Sequence, residues 1–178
     1  MPHNLTKLPH KLDQKAAACR AVVETPKGRR GKYDYDPKTR VFRLKAMLPD
    51  GMSFPLDFGF VPSTLAEDGD PTDVMILVDE PSPVGALLDV RLIGVIEAEE
   101  EEHGKVERND RLLAVAAVSH LYRDVKQASD LDGGFIDNLV QFWINKDRLE
   151  GKAFRCLGVK GPQEAAAQVK KTAAAAKA

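Results

Sequence analysis

Asp68-Gly69-Asp70-Pro71-Thr72-Asp73, running straight into Val74-Met75-Ile76-Leu77-Val78, is the stretch on which the reading of this chain turns. Three carboxylates fall within six residues. Gly69 and Pro71 keep the turn tight, and the apolar β-type run that follows anchors it to a sheet. Crowded carboxylates repel one another, so the spacing favours cations between them. Hard ions such as Mg²⁺, Mn²⁺ or Ca²⁺ prefer all-oxygen ligands. Two other readings compete. Asp, Gly and Pro are ordinary residues of a solvated turn. An EF-hand loop needs Gly sixth, Glu twelfth and flanking helices; counted from Asp68, those positions hold Asp73 and Asp79, and the EF-hand fails.

At 178 residues the chain suits one domain with a substantial core. Hydrophobic residues at 43% and charged residues at 30% are ordinary for a globular protein. A formal net charge of -1 gives no overall attraction to nucleic acid or to an anionic membrane. Cys19 and Cys156 have neither metal-ligand spacing nor a disulfide framework, which fits reduced thiols in the cytoplasm. Met1 to Arg20 contains no continuous apolar core, so neither a signal peptide nor a transmembrane helix is expected.

Working outward from the acidic loop, Phe54-Pro-Leu-Asp-Phe58-Gly59-Phe60-Val-Pro62 is too rich in Pro and Gly for a helix and reads as extended, with Phe60 in the core. Upstream, Arg20 to Thr25 reads as a strand. Lys32-Tyr33-Asp34-Tyr35-Asp36 and Val41 to Lys45 alternate as the arms of a hairpin. Period two puts Lys32, Asp34 and Asp36 on one face and both tyrosines on the other. Downstream, Gly85 to Ile96 reads as a long strand and the acidic run Glu97 to Glu102 as a solvated loop. Arg108 to Arg111 is a polar tip feeding the strand that starts at Leu112. Gly134 to about Ile144 carries apolar residues at helical spacing, and Lys146 near its far end is aimed toward the site. A last strand spans 153–160, and Pro162 opens an Ala/Lys-rich helix whose end, from Ala173, frays. The expected organisation is an N-terminal loose arm over 1–18, one domain over 19–161 and the terminal helix over 162–178.

With these residues in view, the chain resembles the soluble inorganic pyrophosphatase family. The acidic loop after its aromatic-Pro and aromatic-Gly-aromatic segment carries most of the likeness. Val23-Glu24-Thr25-Pro26, Lys32-Tyr33-Asp34, Pro55, Gly59, Gly85 with Arg91 and Gly94, and Lys146-Asp147 extend it from about Val22 to Gly158. The resemblance implies an α+β, mainly β fold: a small OB-like β-barrel with a few helices packed outside. It implies hydrolysis of pyrophosphate to two orthophosphates, with Mg²⁺ as cofactor and Mn²⁺ as the alternative ion. It also implies a homo-oligomer, a hexamer if the source is bacterial.

The same resemblance distributes roles. Asp68 and Asp73 become metal ligands, with Asp70 as the general base on a water held between two divalent ions, close enough to count among the metal set. Glu24, Asp34 and Glu100 line further metal positions, and Asp110 or its neighbour Asn109 supplies another ligand. Lys32, Lys45, Lys146 and Arg111 act on phosphate oxygens. Phe58 and Asn145, with Phe54, stand at substrate-facing positions where the family has tyrosines, so three phenol hydroxyls are missing. Lys45 replaces an arginine, Arg111 a lysine, and Asp34 a glutamate. These departures, with the long Glu97–Asn109 segment, leave two rivals: a related two-metal enzyme acting on another phosphoanhydride, and a degenerate metal-binding member without catalysis.

Overall fold

Short strands joined by Gly- and Pro-bearing turns dominate, as the period-two runs require. The computed structural model describes residues 4–177. In order they form β1 (Ala18–Thr25), β2 (Gly31–Asp36), β3 (Val41–Met47), β4 (Asp57–Phe60), β5 (Asp73–Leu77), β6 (Leu87–Glu102), β7 (Lys105–Arg108), β8 (Arg111–Ala116), α1 (Gly133–Leu149), β9 (Ala153–Lys160) and α2 (Pro162–Ala175). The pairings run β1–β4–β5–β8–β6 and return from β6 to β1, closing a five-stranded ring. All are antiparallel except β5–β8. Closure removes the unpaired edges of an open sheet and gives the OB-like barrel that was expected. No helix among the described residues is long and apolar enough to cross a membrane.

Alternation on β5 feeds two cores. Val74 and Ile76 join Val23, Leu92, Leu112 and Ala114 in one core, which Ala165, Ala166 and Val169 of α2 seal. Met75 and Leu77 join Phe58, Ile96, Leu113 and Val115 in the other, covered by Leu139 and Trp143 of α1 and by Phe154 of β9. Burying both faces explains why β5 and β8 read as continuous apolar runs. The β2–β3 hairpin stands apart as its own two-stranded sheet.

Several sequence expectations change. The acidic run Glu97 to Glu102 is strand, the second half of β6, paired on one side by β7 and on the other by β9. Cations opposite its carboxylates permit this: Arg155 pairs with Glu99, Arg108 with Glu97 at 2.9 Å and Lys152 with Glu102 at 3.1 Å. The first helix continues five residues past Ile144 to Leu149. The last helix does not fray at Ala173, which is buried; Thr172 is tied to Thr72 by a 2.8 Å hydroxyl bond. The described part of the N-terminal segment is docked rather than loose. Leu5 N–H donates to the Tyr35 hydroxyl at 3.1 Å, and Ser63 N–H donates to the Thr6 carbonyl at 2.7 Å.

Gly59 shows why β4 can approach β1 at all. A Cβ built there would lie 1.9 Å from the Val22 carbonyl oxygen, inside backbone that cannot yield. Gly59→Ala is therefore expected to destabilise the protein by about 3 kcal/mol or more, measured by denaturant unfolding. A near-wild-type midpoint would show that the β1–β4 contact is looser than described.

Candidate active site

The parallel register of β5 and β8, Val74 opposite Leu112, sets their first residues, Asp73 and Arg111, at neighbouring positions. The acidic loop is held in shape just ahead of β5. Asp70 N–H donates to Asp68 Oδ1 at 3.0 Å, Ala66 N–H to the Asp70 carbonyl at 2.8 Å, and Thr72 N–H to Thr64 Oγ1 at 2.9 Å. Gly69 turns the chain with φ +89°, where a glycine costs least.

Asp68, Asp70 and Asp73 open into a cavity of about 750 Å³. Glu24 from β1, Lys32 and Asp34 from β2, Lys45 from β3, Phe58 from β4, Glu100 from β6, Arg111 from β8 and Lys146 from α1 line the same cavity. Residues far apart in sequence thus converge on one place. Asp110 does not join them. Its Oδ1 accepts from Ala98 N–H at 3.0 Å and pairs with Arg108, and it faces a separate cavity of about 210 Å³. Asn109 is the member of that pair that lines the acidic cavity. Asn145 is also absent from the lining; it sits exposed, with Oδ1 accepting from Arg148 at 3.4 Å. Phe54 is buried against Phe58, Phe142 and Trp143, again outside the lining. One-residue steps on a strand or helix swing a side chain to a different face, so ungapped spacing could not choose between neighbours here.

The lining carries ten carboxylates against six Lys and Arg side chains. Lys45 Nζ lies 2.6 Å and Lys32 Nζ 3.6 Å from the Asp34 carboxylate, and Arg111 Nη2 lies 2.5 Å from Glu100 Oε1. The remaining negative charge is poorly compensated. Burial pushes Glu24 up to about 8, with Asp34 and Asp73 adding repulsion against its hydrogen bond from Tyr35 N–H. Burial likewise pushes Asp73 up to about 7 despite Arg111 and Lys32, and Asp68 is raised for the same reason. Glu100 goes the other way: burial would raise it, but Arg111 holds it below the usual glutamate value. Lys45 is raised by its hydrogen bond to Asp34.

This donor set fits hard divalent ions, being all oxygen and carrying excess negative charge that a cation would relieve. Among the described residues, no three acidic, His or Cys side chains form a ready ion cage. Two of the cavity carboxylates are instead engaged by cations of the chain, Asp34 by Lys32 and Lys45 and Glu100 by Arg111.

Lys146 lines the cavity as a buried, ion-paired side chain. It is 4% exposed, and its Nζ lies 3.2 Å from Asp147 Oδ1 and 2.8 Å from Glu150 Oε2. The extra turns of α1 create the second contact, an i,i+4 pair. The largest omission from the sequence reading is Trp143. It lines the cavity and carries the Arg111 guanidinium 3.9 Å from its ring centre, while its Nε1–H donates to Met75 Sδ at 3.2 Å. The i,i+3 spacing from Trp143 to Lys146 was the available signal. The β6–β7 hairpin adds His103, Lys105 and Glu107 to the cavity wall.

A barrel of this topology around such a cavity is a recurrent design among known proteins. The family model described as inorganic pyrophosphatase matches residues 21–177. The inorganic pyrophosphatase of Synechocystis sp. is 33% identical over 157 residues, covering 88% of this chain and 89% of that one. That of Streptomyces coelicolor is 36% identical over 155 residues, covering 85% and 91%. The crystal structure of inorganic pyrophosphatase from Thermus thermophilus superposes with a TM-score of 0.89 at 29% identity, covering 99% of this chain and 100% of that one. The chain belongs to the inorganic pyrophosphatase family.

Two outcomes follow from the electrostatics. Lys146→Ala would leave Asp147, 1% exposed, without its cation, at an expected cost of about 3 kcal/mol. Adding Asp147→Asn should recover most of that loss; equal stability of the single and double variants would contradict the pairing. The second concerns pH. Glu24 and Asp73 have folded values of about 8 and about 7 against ordinary values of 4.5 and 3.8. The ion-free fold therefore binds more protons than the unfolded chain in that window, and loses stability as pH rises through it. Thermal midpoints without divalent ions should fall between about pH 5 and pH 8, and saturating Mg²⁺ should flatten the fall. Midpoints that rise with pH in chelator would contradict the assigned burial of these carboxylates.

Proposed function

We infer that this chain is an inorganic diphosphatase that hydrolyses pyrophosphate to two orthophosphates with the help of divalent metal ions, Mg²⁺ foremost and Mn²⁺ as alternative. The observation that carries this reading is the convergence of Asp68, Asp70, Asp73, Glu24, Asp34 and Glu100 with Lys32, Lys45, Arg111 and Lys146 on one cavity. Pyrophosphate is strongly anionic and could not approach the carboxylates alone. Divalent ions, when bound, neutralise the nest and lower the pKa of a coordinated water.

The chain's own residues then have distinct tasks. Asp68 and Asp73, with Glu24, Asp34 and Glu100, are the ion-holding carboxylates. Asp70, exposed at the tip of the loop, takes the proton from the attacking water at its carboxylate. Lys32, Lys45, Arg111 and Lys146 face phosphoryl oxygens and stabilise the charge that shifts to the leaving phosphate. Lys146 has three N–H donors and spends two on Asp147 and Glu150, leaving one for the cavity. Phe58 and Trp143, packed with ring centres 5.3 Å apart, form an apolar wall that offers no phenol hydroxyl. A cytoplasmic location fits cysteines that form no disulfide and a metal-dependent hydrolysis of pyrophosphate, and exposed Val41, Leu44 and Met47 on β3 offer apolar surface for a homo-oligomer.

A second reading, preference for a longer phosphoanhydride, is favoured by the continuation of the cavity past His103, Lys105 and Lys152. Phosphate release from pyrophosphate and tripolyphosphate, with and without chelator, separates the two. Pyrophosphate should be the better substrate, and chelator should abolish the reaction. Asp70→Asn should lower turnover by roughly two to four orders of magnitude in a protein that still folds. Wild-type-like turnover in that variant would remove Asp70 as the base.

A further inference from the structure

Arg111 is fixed in the cavity by groups other than its salt-bridge partner. It is 2% exposed, its guanidinium lies 3.9 Å from the ring centre of Trp143 and 5.2 Å from that of Phe154, and Nη1 donates to the Asn109 carbonyl at 2.8 Å. Glu100 meets only Nη2. The adjacent Nε–H is buried and has no hydrogen-bond partner. The Nε/Nη2 edge of a guanidinium is a two-donor fork that matches two oxygens of a carboxylate or phosphate. Here that edge is half filled, and a buried donor left unmade is costly. Glu100 is the more replaceable partner, since its side chain is 17% exposed and lines the cavity.

We propose that Arg111 is the internal counter-cation of the acidic nest: it holds Glu100 while divalent ions are absent, and yields Glu100 to them so that its whole Nε/Nη2 fork can receive a phosphate of the substrate. This rests on the cavity taking divalent ions and phosphate, as argued above. Arg111 lines the same cavity as Asp68 and Asp73, the carboxylates that arriving cations would also meet. A cation that competes with metal for a carboxylate weakens metal binding. Once released, the same cation strengthens phosphate binding. The two effects couple metal and phosphate occupancy through one residue. A stack on Trp143 and a backbone carbonyl keep the guanidinium in place throughout, so only the partner on the fork changes.

Equilibrium binding tests this without turnover, using Mn²⁺ followed by electron paramagnetic resonance and orthophosphate followed by calorimetry. In chelator, Glu100→Gln should bind orthophosphate about tenfold more tightly than wild type, within the usual range of coupling between sites. That gain should vanish in the Glu100→Gln/Arg111→Gln double variant, which separates a freed fork from a general loss of negative charge. Arg111→Gln should bind Mn²⁺ several-fold more tightly than wild type while binding orthophosphate more weakly. Weaker or unchanged Mn²⁺ binding in a folded Arg111→Gln protein would overturn the switch and leave Arg111 a support for Glu100. If Arg111→Gln does not fold, Glu100→Gln decides alone: no gain in metal-free phosphate affinity overturns the proposal. Pyrophosphate hydrolysis by the wild type is scored separately, so the activity and the switch fail independently.

Discussion

The parallel pairing of β5 with β8 is the constraint on which the site depends. It places Asp73 and Arg111, the first residues of two buried strands, at neighbouring positions in register. Both strands are apolar along their length and packed on both faces. Neither can slide by one residue without turning its buried side chains onto the wrong face. The barrel's core packing therefore also sets the position of a carboxylate and a guanidinium relative to each other. The other site residues are added to that pair by strands and a helix that pack around it.

Those additions follow a common physical pattern, in which a rigid element ends or bends beside the cavity and leaves a charged side chain there. The acidic loop is braced from below by Thr64 and by Thr172 at the end of α2. The second half of β6 extends beyond the ring and brings Glu100 over the cavity, supported on either side by β7 and β9. α1 lays Trp143 and Lys146 on one face, so that an aromatic ring supports Arg111 while a buried lysine balances Asp147 and Glu150. Buried charges occur here in paired groups because an isolated one would be expelled or neutralised.

The unequal balance of charge in the cavity is the link from structure to function. Paired carboxylates such as Glu100 are stabilised in the ionised form, whereas Glu24 and Asp73 are pushed toward protonation by burial and by their neighbours. A site that holds this strain is poised to bind cations, and a cation-filled site of this shape is suited to an anion with several phosphate oxygens.

Some of this was readable in one dimension. The Asp68–Asp73 loop and the alternating strands are local patterns, because turn chemistry and side-chain alternation act over a few residues. They were enough to indicate a cation-binding loop anchored to a sheet and to carry the family resemblance, which in turn implied the barrel. Tertiary structure decided what local patterns cannot encode. It chose Asn109 over Asp110 for the cavity wall, removed Asn145 and Phe54 from it, made a strand of the Glu97–Glu102 run and buried Lys146. Most of these depend on a partner distant in sequence: Arg155 opposite the acidic strand, Ala98 N–H beside Asp110, Met75 beneath Trp143, and Trp143 beneath Arg111. The sequence determined which charges the chain owns and the local geometry of its loops. The packing of distant elements decided which of those charges meet, because pairing energy exists only between groups that the fold has already brought together.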